Sequence, residues 1–168
     1  TAESLTLSEP QKARKIVHRI RAKEVILATG AHERPMLFEA NDLTNIMLSQ
    51  SVRRYLHEYG VISGKKVVVY GNNDSIYSTA KDLHVNDIEC IVVDVRSSED
   101  PIEIVSELKD SGVKVLQGYC IVKALGSHRV KGVEITQTKL QDNNWQVFGD
   151  TQTIICDLVA TSGGFNPV

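Results

Sequence analysis

From Lys65 to Gln117 the chain alternates short, continuously apolar runs with stretches of helical period, and this constrains the fold more than any other feature. "KVVVYG" (66–71), "IECIVVDV" (88–95) and "VKVLQ" (113–117) are strand-length runs. A run apolar on both alternate faces is stable only in a sheet covered on both sides, as parallel sheets are. Between them, "DSIYSTAKDL" (74–83) places Ile76, Ala80 and Leu83 on one helical face. Asp100, Pro101 and Glu103 supply a capping residue, a proline for the first turn and an acid three residues after the cap, so a second helix runs to about Gly112. The order is βαβαβ.

After Gly118 the period shortens to two. "YCIVKAL", "RVKGVEITQT" and "WQVFGD", with turns at "GSH" and "QDNN", read as an antiparallel meander that delivers the chain to a last buried strand at 157–161. The fold class expected is α/β: a Rossmann-like open parallel sheet with an antiparallel meander. In the doubly wound order, 67–70 lies between 91–95 and 157–161.

That last strand has a counterpart upstream. "EVILATGAHERP" (24–35) and "CDLVATSGGFNP" (156–167) align without a gap at an offset of 132 (156 minus 24), matching Ala28 with Ala160, Thr29 with Thr161 and Pro35 with Pro167. One supersecondary unit used twice implies two related domains. Residues 4–8 and 15–22 read as an antiparallel hairpin leading into a strand at 25–29. Residues 1–35 then form the remnant of a first FAD/NAD-type dinucleotide-binding domain, partial at the N-terminus. Residues 36–64 connect, irregularly over 31–47 and then through an amphipathic helix on which Leu48, Val52, Leu56 and Tyr59 recur and the arginines face solvent. Residues 65–168 form an inserted NAD(P)-type domain. Beginning at Thr1 and stopping at "SGGFNPV", the chain reads as a piece of something larger, and 25–29 is expected to stay out of the main sheet.

In such a sheet the turn after the first strand meets the pyrophosphate, because helix N-terminal amides point at it and glycines let the backbone approach. Here Gly71 holds the first glycine position, but Asn73 stands at the second and Ile76 at the third. The Asn73 side chain is expected to project into the phosphate path and Ile76 to push the helix from the strand. The turn, with Asn72 and Ser75, reads as one that has lost its nucleotide, weak NAD binding being the alternative. Asp94 ends the second strand where an acid accepts ribose hydroxyls, or serves as a turn residue; Arg96 could face a 2′-phosphate. Thr29, Gly30 and Ala31 on one copy of the repeat, and Ser162, Gly163 and Gly164 on the other, sit at carboxyl ends of strands, where cofactors bind or domains hinge. His32-Glu33-Arg34 invites an acid–base reading, but Arg34 is better suited to a phosphate or an interdomain carboxylate.

Composition narrows the partners. Nineteen Lys+Arg against 21 Asp+Glu leave a net charge of −2, with no like-charge block to follow nucleic acid or an anionic membrane. No apolar run is long enough to span a bilayer, and a soluble, cytoplasmic protein is expected. Cys90, Cys120 and Cys156 lack a CxxC pair, which excludes a disulfide reductase, and the five histidines lack metal-ligand spacing, so no metal is assigned.

With these residues assembled, the chain resembles the sarcosine oxidase alpha-subunit family. The resemblance rests on "LATGAHERP", "NDLTNIMLSQSVRRYLHEYGV", "VVVYGNNDSIYSTAKDL", "VVDVR" and "SGGFNPV". It implies a cytoplasmic complex that oxidises sarcosine to glycine, passes the one-carbon unit to tetrahydrofolate and forms hydrogen peroxide. It further implies NAD on the alpha chain, FAD on the beta subunit and FMN between them. Partners are then the other subunits and the remainder of the alpha chain, and the resemblance implies that no catalytic residues lie in this stretch. NAD would lie mainly in the first domain, touched here by "TGAHERP". A related amine or opine dehydrogenase, a hydrogen-cyanide-synthase-like subunit, and a structural domain that binds nothing are the alternatives.

Overall fold

A computed structural model describes residues 2–3, 17–97, 103–141 and 144–168. The chain divides into two compact units, Thr1–Gly30 and Ala31–Val168. In the first, β1 (Ala2–Glu3) pairs antiparallel with β2 (Val17–His18). Of the expected hairpin, residues 4–8, 15 and 16 lie outside the described residues. Residues 25–29 form no strand, contrary to expectation, and Ile26 and Leu27 are 91% and 83% exposed. An apolar run becomes a strand only where a sheet receives both its backbone and its two faces.

The second unit contains β3 (Ala31–Glu33), β4 (Ile46–Leu48), α1 (Ser49–Tyr59), β5 (Lys66–Gly71), α2 (Ser75–Val85), β6 (Glu89–Asp94), α3 (Glu103–Asp110) and β7 (Lys114–Gln117). There follow β8 (Tyr119–Gly126), β9 (Val130–Gln141), β10 (Asn144–Ile155), β11 (Leu158–Ser162) and β12 (Phe165–Pro167). Its centre is a parallel sheet of order β4-β11-β5-β6-β7. β5 therefore lies between β6 and β11, as the doubly wound order requires, and 25–29 takes no part in this sheet. Residues 46 and 47 were expected to be irregular and Leu48 to open the helix. They instead form the edge strand beside β11, in register Ile46 with Val159 and Leu48 with Thr161.

The side-chain alternation of each strand builds two cores. On one face Val67, Val69, Val92, Leu158 and Ala160 pack against the helices through Val52, Ile76, Leu83 and Leu108. On the other, Val68, Tyr70, Val93 and Val159 pack against Ile121, Val133 and Ile135 of the meander sheet β10-β9-β8. The continuous apolar runs are thus covered on both sides, by helices on one and by a second sheet on the other. β10 runs five residues past the expected "WQVFGD" and shifts register between Phe148 and Gln152. Asp142 and Asn143 of the expected turn, and residues 100–102 at the expected start of α3, lie outside the described residues.

Two details of α1 differ from the sequence reading. Tyr59 is exposed and tilts against Tyr55 at 6.0 Å between ring centroids, so the buried stripe ends before it. Arg53 is no free surface cation: its Nε donates to Asp82 on α2 at 2.6 Å, and His57 Nε2 reaches the same carboxylate oxygen at 2.9 Å. At the amino ends of the strands, the Asp157 carboxylate accepts the N–H groups of Lys65 and Lys66 at 2.8–3.0 Å and fixes where β5 begins. At the carboxyl ends, the two copies of the repeated phrase meet. β3 and β12 pair antiparallel with Glu33 opposite Phe165, its own counterpart at the 132-residue offset. The ribbon is extended by Arg34 N–H to Gly164 O at 2.8 Å and Gly163 N–H to Arg34 O at 2.7 Å.

Candidate functional site

The carboxyl ends of β5, β6 and β11 and the N-terminus of α2 come together around Gly71. A side chain is impossible there: a Cβ on Gly71 would lie 2.4 Å from Ser162 O and 2.7 Å from Ile76 Cγ2. Ile76 is fully buried against that bare backbone. It does not push α2 away, because the room it needs is left by Gly71 rather than by a glycine at its own position.

Asn73 does not project outward either. Its Nδ2 donates to Ser162 O at 3.2 Å, to Ser162 Oγ at 3.0 Å and to Asn72 Oδ1 at 3.2 Å. Its Oδ1 accepts from the Ser75 N–H at 3.2 Å and the Ser75 hydroxyl at 2.6 Å. The amide side chain is thus folded into the turn, joining the first residue of α2 to the last residue of β11. Three further amides at the turn and the first turn of α2 are engaged as well. Asn72 N–H donates to Ser162 O, Ile76 N–H to Asn73 O and Tyr77 N–H to Asp74 O, at 3.1–3.4 Å.

Asp94 is 1% exposed and receives five contacts. Tyr77 OH donates to Oδ2 at 2.6 Å, and the Arg96 N–H donates to Oδ1 at 2.8 Å. Arg96 Nε spans both oxygens at 3.1 and 3.2 Å, and Nη2 reaches Oδ2 at 2.8 Å. A carboxylate offers about four lone-pair directions, so this set fills it. Arg96 Nη2 also meets Asp74 Oδ1 at 2.9 Å and so bridges the end of β6 to the cap of α2. The bonds to Asp94, with Asp74 adding to them, hold the guanidinium above its ordinary pKa. Burial first, and then the bond to Asp94, push the Tyr77 phenol above its own.

The remaining candidates divide. Ser162 is buried and shares the Asn73 cluster, its Oγ 3.3 Å from Ser75 Oγ. At Gly163 a Cβ would lie 2.9 Å from Pro35 O, so the ribbon crosses here only over a glycine. Ala31 pairs with Pro167, and the Arg34 side chain is exposed, its Nη2 lying alongside Gly164. Thr29 and Gly30 belong to the first unit, where Gly30 has φ +79°. Within His32-Glu33-Arg34, the glutamate serves a helix: Glu33 Oε2 accepts the Gln50 N–H at 2.8 Å at the start of α1, whose own cap residue, Leu48, offers no side-chain bond. Its other oxygen, Oε1, is buried without a hydrogen-bond partner among the described residues.

Sequence reasoning missed Tyr77 as a partner of Asp94 and Glu33 as a cap. The one signal for Tyr77 was a tyrosine placed among the apolar positions of a buried helix, since a buried phenol needs an acceptor. Burial pushes the thiols of Cys90 and Cys156 up to about 11 and about 12. Among the described residues, no group of three His, Cys, Asp or Glu side chains is placed to hold a metal, and no helix is long and apolar enough to cross a membrane.

No family model matches the chain. It is 38% identical over 158 residues to the sarcosine oxidase subunit alpha of Corynebacterium sp. strain U-96, covering 93% of this chain and 16% of that protein. To the same subunit of Rhizobium meliloti strain 1021 it is 30% identical over 156 residues, covering 89% and 14%. The chain thus spans about a sixth of the length of these relatives. Among solved structures it resembles a T. acidophilum thioredoxin reductase (TM-score 0.62, 16% identity, 83% of this chain and 43% of that one). It also resembles a FAD-dependent pyridine nucleotide-disulphide oxidoreductase from Desulfovibrio vulgaris (TM-score 0.61, 20% identity, 88% and 37%). These two likenesses show the fold.

Proposed function

The chain belongs, as one segment, to the sarcosine oxidase alpha-subunit family, and from that premise we propose that it serves an oxidase that converts sarcosine to glycine while forming methylene-tetrahydrofolate and hydrogen peroxide. The single observation that carries the activity is the sequence kinship across 93% of the chain. In this reading the segment contributes a nucleotide-binding-type domain that acts as a scaffold. The reacting groups, with FAD and FMN, lie mainly on other chains of a soluble cytoplasmic complex, and NAD belongs to the remainder of the alpha chain. Residues 1–35 complete that first domain, where Thr29, Gly30 and Ala31 line its cofactor and Arg34 holds a phosphate or an interdomain carboxylate. The scaffold role is supported by the turn at Gly71, where the amides of Asn72, Ser75, Ile76 and Tyr77 and the neighbouring Asp94 already have partners within the chain.

The test is sarcosine-dependent peroxide release by the full-length protein co-expressed with its companion subunits, against the 168-residue chain alone. Turnover by the assembly and background from the chain are expected. An assembly that oxidises an opine or another secondary amine but not sarcosine overturns the substrate assignment, and flavin-dependent turnover by the chain alone overturns the scaffold role.

A further inference from the structure

We propose that the nucleotide turn of this domain is held shut by its own side chains: Asn73 occupies the acceptor position that a pyrophosphate would take at the N-terminus of α2, and Arg96 occupies Asp94 where a ribose would bind. The inference rests on the scaffold reading and names the groups that enforce it.

A pyrophosphate binds in such a fold by accepting hydrogen bonds from the amides that open the helix. In this chain the Ser75 amide already donates to Asn73 Oδ1, and the Asn72 amide donates across to Ser162 O. Asn73 can fill this place because a side chain stands where the G-x-G-x-x-G pattern has its second glycine. The same side chain donates to Ser162 through Nδ2, so moving it aside breaks its bonds to both Ser75 and β11. Charge acts in the same direction. The Asp74 carboxylate, 68% exposed at the N-terminus of α2, opposes an incoming phosphate, while the Arg96 guanidinium is already committed to Asp74 and Asp94.

The second closure is independent of the first. A ribose needs free lone pairs on the acid that ends β6, and those of Asp94 are taken by Tyr77 and by the backbone and guanidinium of Arg96. Tyr77 comes from inside α2, and the Asp94 carboxylate it binds is buried at the end of β6. A consequence is that the turn is fully formed with no nucleotide present.

Hydrogen exchange followed by mass spectrometry on the assembled full-length protein, with and without millimolar NAD⁺, NADP⁺ or ADP, reads this directly. The amides of residues 72 and 75–77 are expected to be protected without nucleotide, and exchange across 72–77 to be unchanged by it, whatever happens elsewhere in the assembly. The Asn73→Gly, Arg96→Ala double variant is expected to gain nucleotide-dependent protection there, about tenfold slower exchange at a ligand concentration about ten times its dissociation constant. Nucleotide-dependent slowing at 72–77 in the unsubstituted protein overturns the proposal, and so does a folded double variant that gains nothing. Should the double variant fail to fold, Asn73→Gly alone is measured, with baseline exchange at Ser75 expected to quicken; unchanged exchange there overturns the role given to Asn73. Sarcosine turnover by the same unsubstituted assembly tests the underlying assignment separately, so failure of one is distinguishable from failure of the other.

Discussion

Replacing Arg96 by alanine isolates the closure at Asp94. The variant loses the three guanidinium contacts to the carboxylate and the bridge to Asp74, but keeps the bond from Tyr77 and the backbone N–H at position 96. Removing the partner of a buried charge costs about 3–5 kcal/mol when nothing else compensates. Here two donors remain, and Arg96 is one-third exposed, so solvent screening reduces the figure to about 2 kcal/mol. For a unit of this size that is about 8 °C in melting temperature. Urea denaturation followed by circular dichroism measures it, and a double-mutant cycle with Asp94→Asn assigns it: the doubly substituted protein should be less destabilised than the sum of the two single variants. A loss below about 0.5 kcal/mol would place Arg96 among ordinary surface ion pairs and refute the argument.

Gly71→Ala should cost at least about 3 kcal/mol, because its Cβ would overlap the Ser162 carbonyl and Ile76, and thermal melting would show it. For Asp82, burial raises the pKa, but the bonds from His57 and Arg53 outweigh it and leave the folded-state value below the ordinary one. Its stabilisation is therefore present above the unfolded carboxylate pKa of about 3.9 and is lost as pH falls through the folded value. Urea midpoints of wild type and Asp82→Asn should accordingly differ at neutral pH and converge only as the pH falls below the ordinary carboxylate value of about 3.9. The Cys90 and Cys156 thiols, raised to about 11 and about 12 by burial, should resist an aromatic disulfide reagent at pH 8 in the native protein and react once urea unfolds it; fast native labelling would contradict their placement in the two cores.

The parallel sheet was legible because its code is local and redundant. Val67–Val69 and Ile91–Val93 are apolar on both alternate faces, and only a doubly covered sheet satisfies such runs. The place of 157–161 followed from chain order alone. By contrast, β4 rests on three residues, Ile46 to Leu48, that adjoin a helix with no intervening signal, and three residues carry too little periodicity to read. Residues 25–29 failed in the opposite sense. Their apolar run is as strand-like as β11, but a strand is a property of the sheet that receives it.

At the candidate site the residue types were legible and their directions were not. Asn73 and Ile76 could be seen to break the glycine pattern, and from that alone both were expected to obstruct. The structure turns the Asn73 amide inward onto Ser75 and Ser162 and lets Ile76 fill the space over Gly71. Side-chain direction in a turn depends on what lies across it, here the end of a strand about 90 residues later, and no local pattern encodes that contact. Arg96 was weighed as a binder of phosphate. Its partner proved to be two residues away in the sequence, on a carboxylate whose burial could not be read from position alone.

The most direct test is the structure of the proposed assembly that contains this segment, saturated with NAD⁺. The account predicts Arg96 on Asp94, the Asn73 amide on Ser75 and Ser162, and the dinucleotide bound away from the α2 N-terminus. An adenosine diphosphate moiety lying against Asn72–Ser75, with its ribose on Asp94, would contradict it.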